Sequence, residues 1–222
     1  YFTTPYHGPE ENKITENEMP ENAEAVLYVI SRISGEGADR GNEPGDFLFS
    51  ESEKENLKKL DETGKDLIVI LNTGGLMDLA FADEFANIRA IVQYVQAGQE
   101  GGNAFADVFT GEVTPSGKMS DTWAKTYNDY PGAEVFSYKS GNLMKEYYEE
   151  GIFVGYRYFD TFQVPVRYGF GYGLSYTDFA IAAGAVSVSA LGTMDPKVTV
   201  EVTVKNTGDT YAGKEVVQIY AS

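Results

Sequence analysis

The sequence predicts an α/β fold, in which a mainly parallel sheet is covered by helices and is followed by the start of an antiparallel β-sandwich. The first observation is that short unbroken apolar runs alternate with helical patterns, and that short glycine-bearing loops join them. This alternation is typical of parallel sheets, whose strands are buried on both faces. The second observation is a change near residue 179 to strand patterns that alternate β-branched and polar residues, which favours antiparallel pairing.

The elements of the parallel part follow in order along the chain. Two apolar runs predict buried strands, residues 25–30 and 67–71, and residues 88–95 are predicted to form a third strand. Three helices are predicted between and after them: from residue 51 to near 64, a short one through 85, and one over about 103–109. The first helix has the clearest start, because Ser50 and Glu53 have the spacing of a capping box.

The remaining half of the chain has less regular patterning. From residue 111 to 178 the sequence is rich in Gly, Pro, Tyr and Phe and has poor periodicity, which indicates a long wrap over the sheet. Beyond it, two strands and an intervening turn are predicted: residues 198–205, 206–209 and 213–220.

These patterns predict two domains, and we expect the chain to be cut at both ends. An α/β domain is predicted over residues 1–178, incomplete at its N-terminus. The beginning of a β-sandwich is predicted over residues 179–222, because about three strands are too few to close a sandwich. The chain also does not begin with Met.

The composition excludes several kinds of site. The 222 residues include no Cys and a single His, His7, so we expect no thiolate nucleophile, disulfide framework, metal site or cofactor. The 17 basic and 34 acidic residues give a formal charge of −17, which disfavours nucleic acid and membrane surfaces as partners. No apolar run is long enough to predict a membrane span. A neutral substrate is therefore expected, and no compartment is assigned.

Two glycine-rich segments resemble nucleotide-binding loops but fail on spacing. Residues 111–118 place five residues between the glycines, where a phosphate-binding loop has four, and Met119 follows Lys118 in place of Ser or Thr. Residues 169–173 lack both the spacing of a dinucleotide fingerprint and a following amphipathic helix. A nucleotide site is therefore not predicted.

Glu36 is the strongest candidate for chemistry on pattern alone. Its segment, residues 33–41, follows a predicted buried parallel strand, and open α/β sheets place their sites at the carboxyl ends of strands. Glycines on both sides of Glu36 allow a ligand to approach the carboxyl closely. Asp39 and Arg40 are expected to brace the loop through an ion pair. A solvated loop glutamate is the more frequent outcome for such a pattern.

The sequence Ile-Ser-Arg-Ile-Ser-Gly-Glu-Gly over residues 30–37 resembles the acid/base loop of glycoside hydrolase family 3 β-glucosidases. Five further segments resemble successive segments of the same domain, in the same order: residues 69–75, 96–103, 115–118, 151–160 and 170–176. Residues 204–208 and 213–216 are similar to the fibronectin type III-like domain of the family. Several motifs in one order are far more specific than any one of them.

The resemblance implies a retaining β-glycosidase with Glu36 as the proton donor. In the family the nucleophile is an Asp within a Ser-Asp-Trp motif on a separate barrel domain, which these residues do not contain. A similar segment, residues 120–123, follows a motif of the sandwich domain, so Asp121 is interpreted as structural. The resemblance therefore implies that a barrel on the same or a partner chain completes the site, and that this piece alone is inactive.

Ser34 and Ala38 are the neighbours of Glu36 that we expect to contact the substrate. Some family members carry an aromatic residue directly after the Ser-Gly-Glu-Gly motif, where it lines the leaving-group subsite, and this chain has Ala38 there. Stacking against the leaving group must then come from elsewhere or be weaker. The tyrosines between residues 147 and 176 could supply it, although packing is the more frequent use of such residues.

Three other interpretations remain open at this point. The chain could be a non-catalytic carbohydrate-binding or structural module in which Glu36 is only a loop residue. It could also belong to a β-xylosidase of the same family. A flavodoxin-like nucleotide-binding domain fits the alternating strands but lacks a phosphate loop, so it ranks last.

Overall fold

The computed structural model describes residue 14 and residues 21–32, 39–136, 139, 141–142 and 144–220. The chain forms two compact units. One unit comprises Tyr1–Gly101 and Asp121–Gly169, and the other comprises Gly102–Ser120 and Phe170–Ser222. The domain boundary predicted near residue 178 stays a prediction.

The first unit contains the predicted parallel sheet. Its strands are β1 (Ala25–Ser31), β2 (Asp66–Asn72) and β3 (Ile88–Gln93), and they lie in the order β1-β2-β3 with every pairing parallel. The α/β fold class is therefore confirmed. Because the three strands run in one direction, their carboxyl ends lie along the same edge of the sheet.

The core of this unit is built on β2, the central strand. Its residues Leu67, Val69 and Leu71 share one face and are fully buried, and on the other face Ile70 is buried while Ile68 is half-buried. Helix α1 (Glu51–Glu62) follows β1 and buries Leu57 and Leu60 completely. The spacing of these two leucines places them on one face of the helix, and that face packs on the sheet.

The capping box predicted for α1 is confirmed. The Ser50 side chain accepts the Glu53 backbone N–H, and the Glu53 carboxylate accepts the Ser50 backbone N–H. The short helix predicted through Phe85 is a single 3-10 turn, Ala80–Asp83. The predicted helix over 103–109 is α2 (Gly101–Phe109).

The wrap within the first unit contains little regular structure. Strand β4 (Trp123–Ala124) pairs antiparallel with β5 (Val166–Tyr168), and helix α3 (Tyr156–Phe162) precedes β5. A bidentate ion pair between Arg167 and Asp83 ties β5 to the 3-10 turn.

Among the described residues, no helix is both long and apolar enough to cross a bilayer.

The second unit contains an antiparallel pair of strands. Strand β6 (Phe179–Ser189) pairs with β7 (Lys197–Asn206), and the predicted turn follows β7, where the Gly208 N–H donates to Asn206 Oδ1 at 3.0 Å. The strand predicted over residues 213–220 is wrong. A strand exists through its ladder of hydrogen bonds, and the described backbone bonds place no partner strand beside this segment.

The parts of the two glycine-rich segments that lie in the second unit, residues 111–118 and 170–173, serve its packing. The Met119 N–H donates to the Tyr172 carbonyl at 2.8 Å, and the Gly171 N–H donates to the Met119 carbonyl at 2.7 Å. A Cβ at Gly173 would collide with the Gly117 carbonyl oxygen, so this close approach of two backbones requires glycine. Lys118 donates to the Gly173 carbonyl, which places it in the fold of this unit.

Candidate active site

The three predicted site residues, Ser34, Glu36 and Ala38, lie within residues 33–38, outside the described part of the chain. Their chain neighbours on both sides are described. Strand β1 ends just before Arg32, which leads into the segment, and Asp39 leads out of it. The site is therefore built from the residues that hold these two ends.

The start of the segment lies at the carboxyl edge of the parallel sheet. Ser31 of β1 lies opposite Asn72 of β2, and the two side chains are joined by a hydrogen bond of 3.3 Å from Asn72 Nδ2 to Ser31 Oγ. The Arg32 backbone N–H continues the ladder by donating to the Asn72 carbonyl at 3.2 Å. The strand pairing thus extends to the residue directly before the segment.

Arg32 is a buried anchor, with 6% of its surface exposed. Its guanidinium forms a bidentate ion pair with Glu53, with distances of 2.6 Å from Nη1 to Oε1 and 2.7 Å from Nη2 to Oε2. It also donates to three carbonyl oxygens: Ser31 at 2.9 Å, Asp46 at 2.7 Å and Leu48 at 3.3 Å. A buried guanidinium requires this degree of pairing, because an unpaired charge in the interior is costly.

Arg40 anchors the other end of the segment. Its Nε donates to Asp46 Oδ1 at 2.6 Å, its Nη2 donates to the Asp46 carbonyl at 2.7 Å, and its Nη1 donates to the Leu76 carbonyl. The expected ion pair between Asp39 and Arg40 is wrong, because the Arg40 guanidinium is turned to Asp46 instead. The Gly41 N–H donates to the second carboxylate oxygen of Asp46 at 2.6 Å.

The loop after β2, residues 73–79, supports Arg40 from the core side. The indole N–H of Trp123 donates to the Met77 carbonyl at 2.6 Å, and Trp123 is buried. The Asp78 N–H donates to the Phe47 carbonyl at 2.8 Å. Two bonds from distant parts of the chain therefore position the loop whose carbonyl Arg40 contacts.

Aromatic packing holds the segment that carries Asp46. Phe47 is buried and meets the rings of Tyr127 and Tyr130 edge to face, with centroids 5.2 Å and 6.4 Å apart. Burial raises the pKa of Tyr130 to about 12, against a smaller lowering by the Ala124 N–H that its oxygen accepts. Tyr130 is therefore a neutral phenol at physiological pH, and it acts as a packing residue with one hydrogen bond.

Asp121, the acid of the segment that resembles the nucleophile motif, lies at the surface of this chain. Asp121 is exposed, whereas the next residues, Thr122 and Trp123, are buried, and Trp123 pairs with Tyr168 in the β4–β5 ladder. The aromatic part of this look-alike motif is thus used in the core. Its interpretation as structural is consistent with this arrangement.

The tyrosines after residue 146 divide between surface and packing positions. Tyr147 and Tyr148 are exposed, while Tyr158 packs against Phe159 and Phe162 with centroids 5.3 Å and 5.2 Å apart. A role for any of them in stacking on a sugar stays a prediction.

In the part of the chain that the structure describes, no cluster of three or more His, Cys, Asp or Glu residues is arranged to hold a metal ion.

Sequence reasoning missed Asp46 and the second role of Glu53. The capping-box spacing identified Glu53 as a helix cap but contained no signal that it also binds Arg32. Asp46 lies in a turn with Gly45 at positive φ, which is an ordinary turn pattern. Neither contact could be derived from local sequence.

The fold and this edge define an α/β domain in which two paired arginines, Arg32 and Arg40, flank a Gly-Glu-Gly sequence that follows a parallel strand. The family model of the glycosyl hydrolase family 3 C-terminal domain matches residues 9–156. The chain therefore belongs to this family.

Named relatives agree with this assignment. A beta-glucosidase of Ruminococcus albus is 40% identical over 201 residues, covering 90% of this chain and 20% of that protein. An exo-alpha-(1->6)-L-arabinopyranosidase of Bifidobacterium longum is 35% identical over 207 residues, covering 91% of this chain and 25% of that protein. The structure of beta-glucosidase 3B from Thermotoga neapolitana in complex with glucose is similar with a TM-score of 0.72 and 41% identity, covering 83% of this chain and 26% of that chain. This chain thus spans about a fifth to a quarter of the length of these relatives.

Proposed function

We propose that this chain is the acid/base-bearing part of a retaining β-glycosidase, a β-glucosidase that releases terminal non-reducing β-linked glucose. One observation carries the proposal: in a chain of family 3, the Ser-Gly-Glu-Gly motif over residues 34–37 begins three residues after β1 ends. The carboxyl end of a parallel strand is where open α/β sheets place their reacting groups. Glu36 is the only carboxyl residue in that motif.

The proposed chemistry needs two carboxyl groups about 5–5.5 Å apart. Glu36 begins protonated and gives its proton to the glycosidic oxygen while an Asp nucleophile attacks the anomeric carbon. The bond from that carbon to the glycosidic oxygen breaks, and the leaving group departs as a neutral alcohol. The Glu36 carboxylate then takes a proton from water, which attacks the anomeric carbon and releases the sugar from the Asp.

The nucleophile is proposed to come from a barrel domain on the same or a partner chain. The relatives are several times longer than this chain, which leaves room for such a domain in them. The resemblance assigns the Asp nucleophile to that barrel, and Asp121 of this chain is exposed and next to a core tryptophan. The piece alone is therefore expected to be inactive.

The substrate is proposed to be a neutral β-glucoside or a short oligosaccharide. Support comes from the relatives named beta-glucosidase and from the neighbour solved with glucose. The charge of −17 disfavours anionic substrates over neutral ones. The relative named as an arabinopyranosidase is the reason to test an α-L-arabinopyranoside, and a β-xyloside covers the remaining alternative.

The experiment compares the full-length protein with its Glu36→Ala variant on an aryl β-glucoside with an activated leaving group. Such a leaving group needs little protonation, so the variant should still form the glycosyl-enzyme and should turn it over about 10²–10⁴-fold more slowly. Added azide should restore turnover and yield the β-glycosyl azide, because it needs no general base. Glu43→Ala is the matched control, since Glu43 is an exposed glutamate of the following turn.

The outcomes separate the candidate functions. Azide rescue with a β-configured product supports Glu36 as the acid/base. Unchanged hydrolysis in Glu36→Ala would leave Glu36 as a loop residue and favour the non-catalytic carbohydrate-binding or structural module. Preference for the xyloside or the arabinopyranoside over the glucoside would keep the mechanism and change the sugar.

A further inference from the structure

Both ends of the segment that carries Glu36 bind the same residue, Asp46. Before the segment, Arg32 donates from Nε to the Asp46 carbonyl oxygen at 2.7 Å. After it, Arg40 donates from Nη2 to the same oxygen at 2.7 Å and from Nε to Asp46 Oδ1 at 2.6 Å. The Gly41 N–H donates to Asp46 Oδ2 at 2.6 Å. Asp46 thus joins the two flanks of a six-residue segment.

Asp46 is itself held by a compact turn. The Asp46 N–H donates to the Glu43 carbonyl at 3.1 Å, and the Phe47 N–H donates to the Gly41 carbonyl at 3.2 Å. The next side chain, Phe47, is buried, and its carbonyl accepts the Asp78 N–H. The anchor of both flanks is therefore fixed to the core of its unit.

The two arginines are suited to set a position and not only to balance a charge. The planar guanidinium donates several hydrogen bonds in one rigid geometry, which an ammonium group cannot reproduce. Arg40 uses three of its donors on Asp46 and Leu76. Arg32 and Arg40 each have a carboxylate partner, Glu53 and Asp46 respectively, so neither leaves an unpaired positive charge beside the segment.

The sequence between the two arginines is rich in glycine. Two of the seven residues between them, Gly35 and Gly37, have no side chain. Glycine also gives the backbone the widest choice of conformations. A proton donor must be placed to within a fraction of an ångström, and an error of about 1 Å can cost about 10²-fold in rate. The contacts that hold Arg32 and Arg40 therefore bear on the placement of the proton donor.

We propose that Asp46 is a positioning residue for the acid/base, which sets the place of Glu36 by joining Arg32 and Arg40. This inference rests on the proposed function of Glu36. A substitution can remove only the side-chain bonds of Asp46, from Arg40 Nε and from the Gly41 N–H, because its carbonyl oxygen remains in any variant. In Asp46→Asn one of the two side-chain oxygens becomes an NH2 group, which cannot accept from Arg40 Nε or from the Gly41 N–H.

The test measures kcat/KM of the full-length protein and its Asp46→Asn variant with two β-glucosides. One has an activated aryl leaving group and the other an alkyl leaving group that requires protonation. If Asp46 positions the proton donor, kcat/KM for the alkyl glucoside should fall at least about tenfold more than for the aryl glucoside. Active-site titration with a burst substrate counts the folded enzyme, so loss of folded protein alone does not produce this difference.

Asp66→Asn is the matched control, since Asp66 also pairs with an arginine, Arg89, at 2.7 Å. That pair lies at the amino end of β2, at the opposite edge of the sheet from the site. Asp66→Asn should leave kcat/KM unchanged for both the aryl and the alkyl glucoside. Arg40→Lys is the second variant, which keeps the charge, loses the fork geometry and should show the same selective loss as Asp46→Asn.

Glu36→Ala is measured alongside to separate the two proposals. If Glu36→Ala itself lowers both substrates equally or not at all, the proposed function fails. If Glu36→Ala shows the selective loss while Asp46→Asn and Arg40→Lys lower both substrates by one factor, only the positioning role is overturned. Should Asp46→Asn fail to fold, the result with Arg40→Lys decides.

Discussion

Glu53 binds Arg32 through both carboxylate oxygens, at 2.6 Å to Nη1 and 2.7 Å to Nη2, and its Oε2 also accepts the Ser50 N–H at 2.9 Å. One carboxylate therefore caps helix α1 and holds the residue that follows β1. Both side chains of the ion pair are buried. The start of the helix is thereby tied to the edge of the sheet at which the candidate site lies.

We predict that Glu53→Gln lowers the free energy of unfolding by about 3 kcal/mol, because it leaves the Arg32 charge buried without its counter-ion. Urea denaturation measures the free energy of unfolding, and amide hydrogen exchange in β1 and β2 measures the local loss of protection. Glu51→Gln is the control on the same helix, since the Glu51 side chain is 81% exposed and pairs with Lys54 at the surface. Its effect should stay below about 1 kcal/mol, and equal losses in both variants would contradict the prediction.

Trp123→Phe is expected to destabilise the first unit by about 2–4 kcal/mol. The change removes the N–H that donates to the Met77 carbonyl. It also leaves a void in the core, because Trp123 is only 1% exposed and Phe is smaller. Thermal unfolding monitored by circular dichroism measures the loss. Tyr148→Phe, at an 80% exposed aromatic residue, should change the stability by less than about 0.5 kcal/mol. A tolerated Trp123→Phe would mean that the bond to Met77 is replaced by water.

Stability should fall at alkaline pH through Tyr28. Burial raises the pKa of Tyr28 to about 12, and the hydrogen bond from Asn56 opposes this only in part. A tyrosine whose pKa is higher in the folded chain than in the unfolded chain binds its proton more tightly when folded. Its contribution is therefore fully present below about pH 10 and is lost as the pH rises toward 12, by about 2–3 kcal/mol.

The measurement for Tyr28 is the urea midpoint between pH 8 and about 12. Tyr28→Phe should be less stable at neutral pH, because the Asn56 amide loses its acceptor, and its midpoint should then decline less steeply above pH 10. Part of the decline in the urea midpoint should remain in that variant, because the pKa of Tyr130 is also raised to about 12. Parallel curves for Tyr28→Phe and the unmodified protein would show that Tyr28 titrates normally.

Asp121→Asn in the full-length protein should leave kcat/KM for an aryl β-glucoside within about twofold of its original value. Asp121 is exposed, and the aromatic residue of its motif is used in the core. A nucleophile variant would behave differently, with almost complete loss of activity and rescue by azide to an α-configured product. That product from Asp121→Asn would identify Asp121 as the nucleophile and refute its interpretation as structural.

Several elements could be predicted because they depend on neighbours in the chain. The strands at residues 25–30 and 67–71 follow from unbroken apolar runs, and each is found within one residue of its predicted bounds. The capping box at Ser50 needs only the residue three positions on, so its spacing alone identified it. The alternation of these runs with helical patterns also indicated that the sheet is parallel.

Two predictions failed where the outcome depends on a partner that local patterning does not identify. Arg40 was assigned to its neighbour Asp39, but Asp46 offers it both a carboxylate oxygen and a carbonyl in a turn that holds them in place. Residues 213–220 have the composition of a strand, but alternation specifies which faces are apolar and not which strand lies alongside. Sequence patterning cannot supply a partner that the chain path does not bring near.

The sequence by itself determined the parallel sheet, the start of helix α1 and the motif order that places the chain in its family. These depend on periodicity, on contacts between near neighbours and on residue identity. Only the tertiary structure decided which acceptors hold the two arginines that flank the Glu36 segment. Glu53 lies 21 positions from Arg32, and the Leu76 carbonyl lies 36 positions from Arg40. Such contacts form because the parallel strands bring their carboxyl ends, and the loops that follow them, to one edge of the sheet.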